Sequence, residues 1–229
     1  MPVSHTRSGG GVESGQSGEP RWPAGLAVVA AGFLPFALPP ALRLGPAIAL
    51  PVAIAVIIVA ATVARRKGSE RLNEWLSYAS VSLLTVALAY GLATLILALP
   101  RHTEVAQQLL RSALVLWVAN VIVFAAWYWR LDAGGPNARD SRQAHVRGAF
   151  LFPQMAIMEP GQDGRSVAEV EGWRPGFVDY LALSLYTCTA FSPTDVPVLS
   201  RWAKLMMMIQ SVLSLGTVVL LAARAVNIL

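Results

Sequence analysis

The feature that most restricts this chain is a set of apolar blocks long enough to cross a bilayer. One runs from Ala24 to Leu42, a second from Leu44 to Ala64, a third from about Trp75 to Leu99, a fourth from Ala113 to Trp129 and the last from Leu205 to Ala223. A hydrocarbon core of about 30 Å needs about 20 helical residues, and hydrocarbon offers no partner to a free backbone group. The blocks lack the alternation of a barrel strand, so helices are the natural reading. Composition agrees: 55% of the 229 residues are hydrophobic and 14% charged, against about a quarter charged in a soluble domain. The fold class expected is an all-α membrane protein with about five transmembrane helices plus one short helix.

A net charge of +5 raises the possibility of nucleic acid, but the basic residues are scattered over the ends and loops of apolar blocks. A membrane surface accounts for them better, so the lipid bilayer and not nucleic acid is the expected partner. Cys188 is the only cysteine, which rules out an intrachain disulfide or a cysteine-pair metal site. His5, His102 and His145 lie in separate segments without ligand spacing. There is no G-x-S-x-G, no H-E-x-x-H and no phosphate-binding glycine loop, so neither a cofactor nor an enzymatic role is expected.

Four regions follow. Residues 1–21, rich in Gly and Ser, read as a disordered tail. Residues 22–129 form a four-helix transmembrane region, whose first span is kinked by Pro35, Pro39 and Pro40. Residues 130–176 are a polar extramembrane segment in which "LDAGGPNARDSR" reads as a turn into exposed chain. Within it, "GAFLFPQMAIMEP" is too short to span and is expected to lie on the bilayer or pack under the helices. "SVAEVEGW" has room for one further helical turn. Residues 177–229 are an apolar C-terminal module. Arg65, Arg66, Lys67 and Arg71 crowd the link between the second and third blocks, and the positive-inside bias puts that link in the cytoplasm, with the tail and the 130–175 segment on the same side. Trp127, Tyr128 and Trp129 beside Arg130 read as an interfacial belt. A multi-pass protein of the bacterial inner membrane is the expected localisation.

"FVDYLALSLYTCTA", from Phe177 to Ala190, makes only about 21 Å of helix, which falls short of the hydrocarbon core. "FSPTDVPVLS" cannot continue it, because Pro193 and Pro197 bias the residues before them to extended backbone. "RWAKLMMMIQSVLSLGTVVLLAARAV" then gives a full span. Short helix, irregular loop, long helix is the order expected of a re-entrant module, and irregular backbone at membrane depth needs shelter from lipid.

At these residues the chain resembles the pore module of tetrameric potassium-type channels, with its hydroxyl-rich pore helix, filter, acidic residue, proline and inner helix. Ser184, Thr187 and Thr189 fall where the pore-helix hydroxyls would be, and Asp195 and Pro197 fall near the acidic residue and the proline. The likeness implies a homo-oligomeric, channel-like pore that passes monovalent or divalent cations, with Thr187, Thr189, Phe191, Ser192, Pro193, Thr194 and Asp195 as pore-loop candidates. The filter itself departs: Phe191, Ser192, Pro193 and Thr194 include no glycine, so stacked carbonyls of the potassium type are not expected. In those channels the loop also enters from outside, whereas the charge count here puts the preceding segment inside. More broadly, "TAFSPTD", "SRWAKLMMMIQS" and the closing "ARAVNIL" resemble a family of uncharacterised bacterial integral membrane proteins.

Structural roles compete at each of these positions. Ser192, Pro193 and Asp195 form a capping-box-like helix start. Asp179 caps the short helix, interacts with its positive end or pairs with Arg224 within the bundle, since a charge at depth costs about 2.5–3.5 kcal/mol. Asn120 and Gln210 fit interhelical hydrogen bonds, and Ser211, Ser214 and Gly216 fit close helix contact. Met206, Met207 and Met208 point around a helix at 100° steps and fit packing, not a metal. Two other functions are weighed against the pore: a non-conducting membrane scaffold or accessory subunit, and a small transporter with its site at the broken first block.

Overall fold

A computed structural model describes residues 19–98, 106–140, 148–157, 173–189 and 196–226. The described chain is helical: α1 (Trp22–Phe33), α2 (Ala49–Arg66), α3 (Glu70–Ala98), α4 (Ala106–Leu131), α5 (Gly135–Asp140), α6 (Pro153–Ile157), α7 (Phe177–Thr189) and α8 (Arg201–Val226). Four of these, α2, α3, α4 and α8, are long and apolar enough to cross a membrane. The first apolar block is broken as its prolines dictate. After twelve α-helical residues come 3-10 turns at Leu34–Ala37 and Pro40–Leu42. Arg21, which precedes the block, lines a cavity with Asn73, and the Leu42 carbonyl at its far end lies against Gly91. The broken block thus runs along much of α3, although only its start is α-helical.

The α2–α3 hairpin shows how local chemistry sets the turn. Arg65 and Arg66 occupy the last turn of α2, where cations offset the helix dipole. Gly68 takes φ +76°, and its N–H and that of Ser69 close back on the carbonyls of Arg65 and Ala64 at 3.0 and 2.9 Å. This is a glycine-terminated helix end, and a side chain there would resist the left-handed conformation. Asn73 then donates to the Ala61 carbonyl at 2.8 Å, tying α3 to α2.

Helix α4 is the axis of the bundle, packed against α1, α3, α7 and α8. Of its apolar window 61% is buried, against 22% for α8. The pattern is inverted relative to a water-soluble bundle. Asn120, Ser184 and Gln210 are fully enclosed, while Val52, Val56, Val59 and Val63 on α2 and Leu205, Met208, Ile209, Val212, Leu215 and Val219 on α8 face outward. Leaving six such side chains half in water would forgo on the order of 5–10 kcal/mol, as much as the whole stability of a typical domain. These faces belong in lipid.

Two expectations for the end of α4 change. "LDAGGPNARDSR" was expected to be a turn into exposed chain; the turn is present, as a 3-10 turn at Asp132–Gly134 kinked at Ala133, but it continues into α5 and buries charged residues. Asp132 is 0% and Arg139 5% exposed. Their burial is possible because each is satisfied: Asp132 accepts from the Tyr180 hydroxyl at 2.6 Å and from the Ala149 N–H, and Arg139 donates to the carbonyls of Trp129 and Asp132 and to Glu19. The expected aromatic belt is likewise internal at Tyr128 and Trp129, which are 0% and 3% exposed. Their polar tips find partners inside, Tyr128 on Gln210 and Trp129 on Glu19. Trp22 and Trp75 are the strongly exposed tryptophans at this end. Glu19, expected in the tail, is thereby docked against α4 and α5. Of the other short segments, "GAFLFPQMAIMEP" packs under the helices: Phe150, Phe152 and Met155 are buried, and Pro153–Ile157 forms α6. "SVAEVEGW" lies outside the described residues except for Trp173.

Candidate functional site

The relation of α7 to its neighbours defines the C-terminal module. At its start, the Phe177 ring meets Trp129 of α4 edge-on at 5.9 Å. Further along, the Ser184 hydroxyl donates to the Val121 carbonyl at 2.7 Å, and Asn120 Nδ2 donates to Cys188 Sγ at 3.6 Å. Helix α7 therefore runs antiparallel to α4. Toward α8 the pairs advance together: Gln210 Nε2 donates to the Ser184 carbonyl at 3.1 Å and the Ser214 hydroxyl to the Cys188 carbonyl at 2.6 Å. Helices α7 and α8 therefore run parallel.

Parallel neighbours force the chain between them to return. Thr189 ends α7 one residue beyond Cys188, which bonds to Ser214 well into α8, yet Val198 forms a bridge with Phe150. The Leu151 N–H donates to the Pro197 carbonyl at 3.0 Å and the Leu199 N–H to the Ala149 carbonyl at 2.7 Å. Phe150 in turn packs on Tyr180 and Trp202, in the first turns of α7 and α8. By Val196–Leu199 the chain is back at the end where α7 began. The thirteen residues of α7 supply only about 20 Å of helix.

No known protein family, curated protein or solved structure matches the chain. Its site is therefore read from geometry.

The interior of the module is a polar core in which one side chain of α8 bonds to both α4 and α7. Gln210 accepts from the Tyr128 hydroxyl and donates to Ser184 Oγ at 2.6 Å and to Cys188 Sγ at 3.0 Å. Trp117 Nε1 donates to Ser214 Oγ at 2.9 Å. Asn120 Nδ2 is engaged, while its Oδ1 is buried without a donor. The arrangement can align helices and hold α7 in depth. Among the described residues no group of His, Cys, Asp or Glu is placed to hold a metal ion.

Asp179 takes the capping role. It sits in the first turn of α7, and its Oδ2 accepts from the Gly176 N–H at 2.8 Å while its own N–H donates to the Gly176 carbonyl at 3.0 Å. The first bond is the back-reaching half of a capping box, an N3 carboxylate on the N-cap N–H; glycine has no side chain to supply the other half. The side chain of Arg224 lies outside the described residues. Thr187 and Thr189 donate to carbonyls of α7 itself, and the Thr187 carbonyl accepts from Ser211 at 3.4 Å. Phe191, Ser192, Pro193, Thr194 and Asp195 lie outside the described residues. Helix α8 begins at Arg201, and Ser200 just before it accepts from the Ala203 N–H through its Oγ at 3.4 Å. Among the small residues, Ser211 and Ser214 meet α7, whereas a Cβ on Gly216 would meet nothing. Sequence reasoning missed Asp132, Arg139 and Glu19, whose partners are distant in the chain and leave no local signal.

Proposed function

We propose that the protein is a channel-like, cation-conducting pore of the bacterial inner membrane, assembled from several copies, with residues 177–224 framing the path. One observation carries this reading: α7 and α8 are parallel, with only residues 190–200 between them. A chain that enters a membrane as a short helix and leaves on the side of entry needs protein or water around its return. Several copies arranged about an axis supply that shelter. In this reading Ser192, Thr194 and Asp195 replace part of a cation's hydration, Asp195 supplies the attracting charge, and Thr187 and Thr189 support the mouth from α7. The protein acts as a conduit and performs no covalent chemistry.

A second reading, a non-conducting scaffold or accessory subunit, draws on a different observation. Ser184, Thr187 and Cys188 all find partners within one protomer, so α7 also works as a buried brace. Reconstitution into liposomes separates the two. The pore reading expects a cation flux that Asp195→Asn reduces severalfold; tight vesicles with the wild-type protein oppose it and favour the scaffold.

A further inference from the structure

At the end of the bundle where α1 begins, α2 ends, α3 begins and α4 ends, the helices line a half-open cavity of about 160 Å³. Its rim carries Arg21, Arg65 and Arg130, and no carboxylate lines it. Asn73, Ser77 and Ser80 of α3 add polar atoms, while Val28, Ile58, Val81 and Ala126 make the remaining wall apolar. Asp140 pairs with Arg21 at 2.7 Å, and among the described residues Arg65 and Arg130 enter no ion pair. Arg21 Nε is buried without an acceptor. Cationic groups converging on one cavity repel each other unless an anion joins them. The cavity is smaller than the roughly 300–1,000 Å³ of a drug-sized ligand pocket, which suits a headgroup better than a nucleotide cofactor.

We infer that this cavity binds a phosphate group, and that the group is the head of an anionic phospholipid. Guanidinium forks match phosphate oxygens bidentately, and basic pockets between membrane helices at the cytoplasmic face suit lipid heads. The exposed Trp22 and Trp75, at the starts of α1 and α3, mark the level of the headgroups. The apolar wall at Val28, Ile58 and Val81 continues toward the bundle interior, as the first carbons below a lipid head require. The inference depends only on the membrane setting and is independent of conduction.

The test uses the full chain in detergent micelles, with thermal unfolding followed as probes are added. Dioctanoyl phosphatidylglycerol is expected to raise Tm in a saturable way, and dioctanoylglycerol, with the same tails and no phosphate, is not. A rise with inorganic phosphate or glycerol phosphate as well would keep the phosphate site but identify a soluble source. Arg65→Ala, at an exposed position, is expected to weaken the phosphatidylglycerol effect about tenfold, with Arg65→Lys intermediate. Gly25→Leu supplies a second variant: Gly25 lines the cavity, a Cβ there meets no atom within 4 Å, and the larger side chain should reduce binding while leaving the unliganded Tm intact. Equal shifts from the phosphate-free lipid, no shift from any probe, or full responses in both Arg65→Ala and Gly25→Leu would overturn the inference.

Discussion

The side-chain amide of Gln210 on α8 donates to the Ser184 hydroxyl on α7 at 2.6 Å, with both residues fully shielded from solvent. The Ser184 hydroxyl in turn donates a hydrogen bond to the Val121 carbonyl of α4 at 2.7 Å, so the pair joins the helices that hold the short one in place. A single interhelical hydrogen bond in lipid averages about 0.6 kcal/mol. Gln210 is a hub, however, and its loss orphans the Tyr128 hydroxyl as well. Gln210→Leu is expected to destabilise the protein by about 2–3 kcal/mol, and Ser184→Ala by about 1 kcal/mol. Unfolding by SDS in mixed micelles measures both; equal effects from the two variants would deny Gln210 its central position.

Gly148 packs on the Asp132 carboxylate so closely that a Cβ would stand 2.2 Å from Oδ1. No rotation of a carboxylate held by Tyr180 and the Ala149 N–H relieves such a contact without breaking one of them. Gly148→Ala is expected to cost about 1–3 kcal/mol by overpacking. Asp132→Ala should be destabilising alone yet remove most of the additional cost of Gly148→Ala. A double-mutant cycle reads that coupling, and additive losses would contradict the contact.

Asp140 lies beyond the kink at Ala133, on α5 at the end of the bundle. Burial pushes its carboxyl upward, but the Arg21 hydrogen bond, the Glu19 N–H and the nearby charges of Arg21 and Arg139 outweigh burial and hold it below its usual range. A carboxylate whose folded pKa is depressed contributes stability above its unfolded pKa and loses it as pH falls through the folded value. The Arg21–Asp140 contribution should therefore be constant near neutrality and disappear below about pH 4. Comparing Asp140→Asn with wild type across pH 3–7 checks this: the stability gap should close at the acid end, and a gap that widens there would refute the pairing.

The helices and the brevity of α7 were legible in the sequence because each rests on local chemistry: continuous apolar runs, and Asp179 beside the start of a short block. Asn120 and Gln210 also stood out, since an amide within an apolar run must find a partner. What escaped was long-range. "LDAGGPNARDSR" has the composition of an exposed turn, and nothing near it in sequence announces that Tyr180 and Ala149 will satisfy Asp132 or that Glu19 will meet Arg139. Tyr128 and Trp129 carried an interfacial signature, yet their polar tips are met by Gln210 and Glu19, so they pack inward. Ser200 stands before the first turn of α8 because the 196–199 backbone pairs with Ala149–Leu151 before that helix begins.

The account depends on α7 and α8 entering from one side. Sided cysteine labelling tests this most directly, in a Cys188→Ser background with single cysteines at Lys67, Gly176 and Leu199, using a membrane-impermeant maleimide on sealed vesicles of known orientation. All three positions should react from the same face. Labelling of Leu199 from the face opposite to Gly176 would mean that the chain crosses between them, and would contradict the re-entrant arrangement.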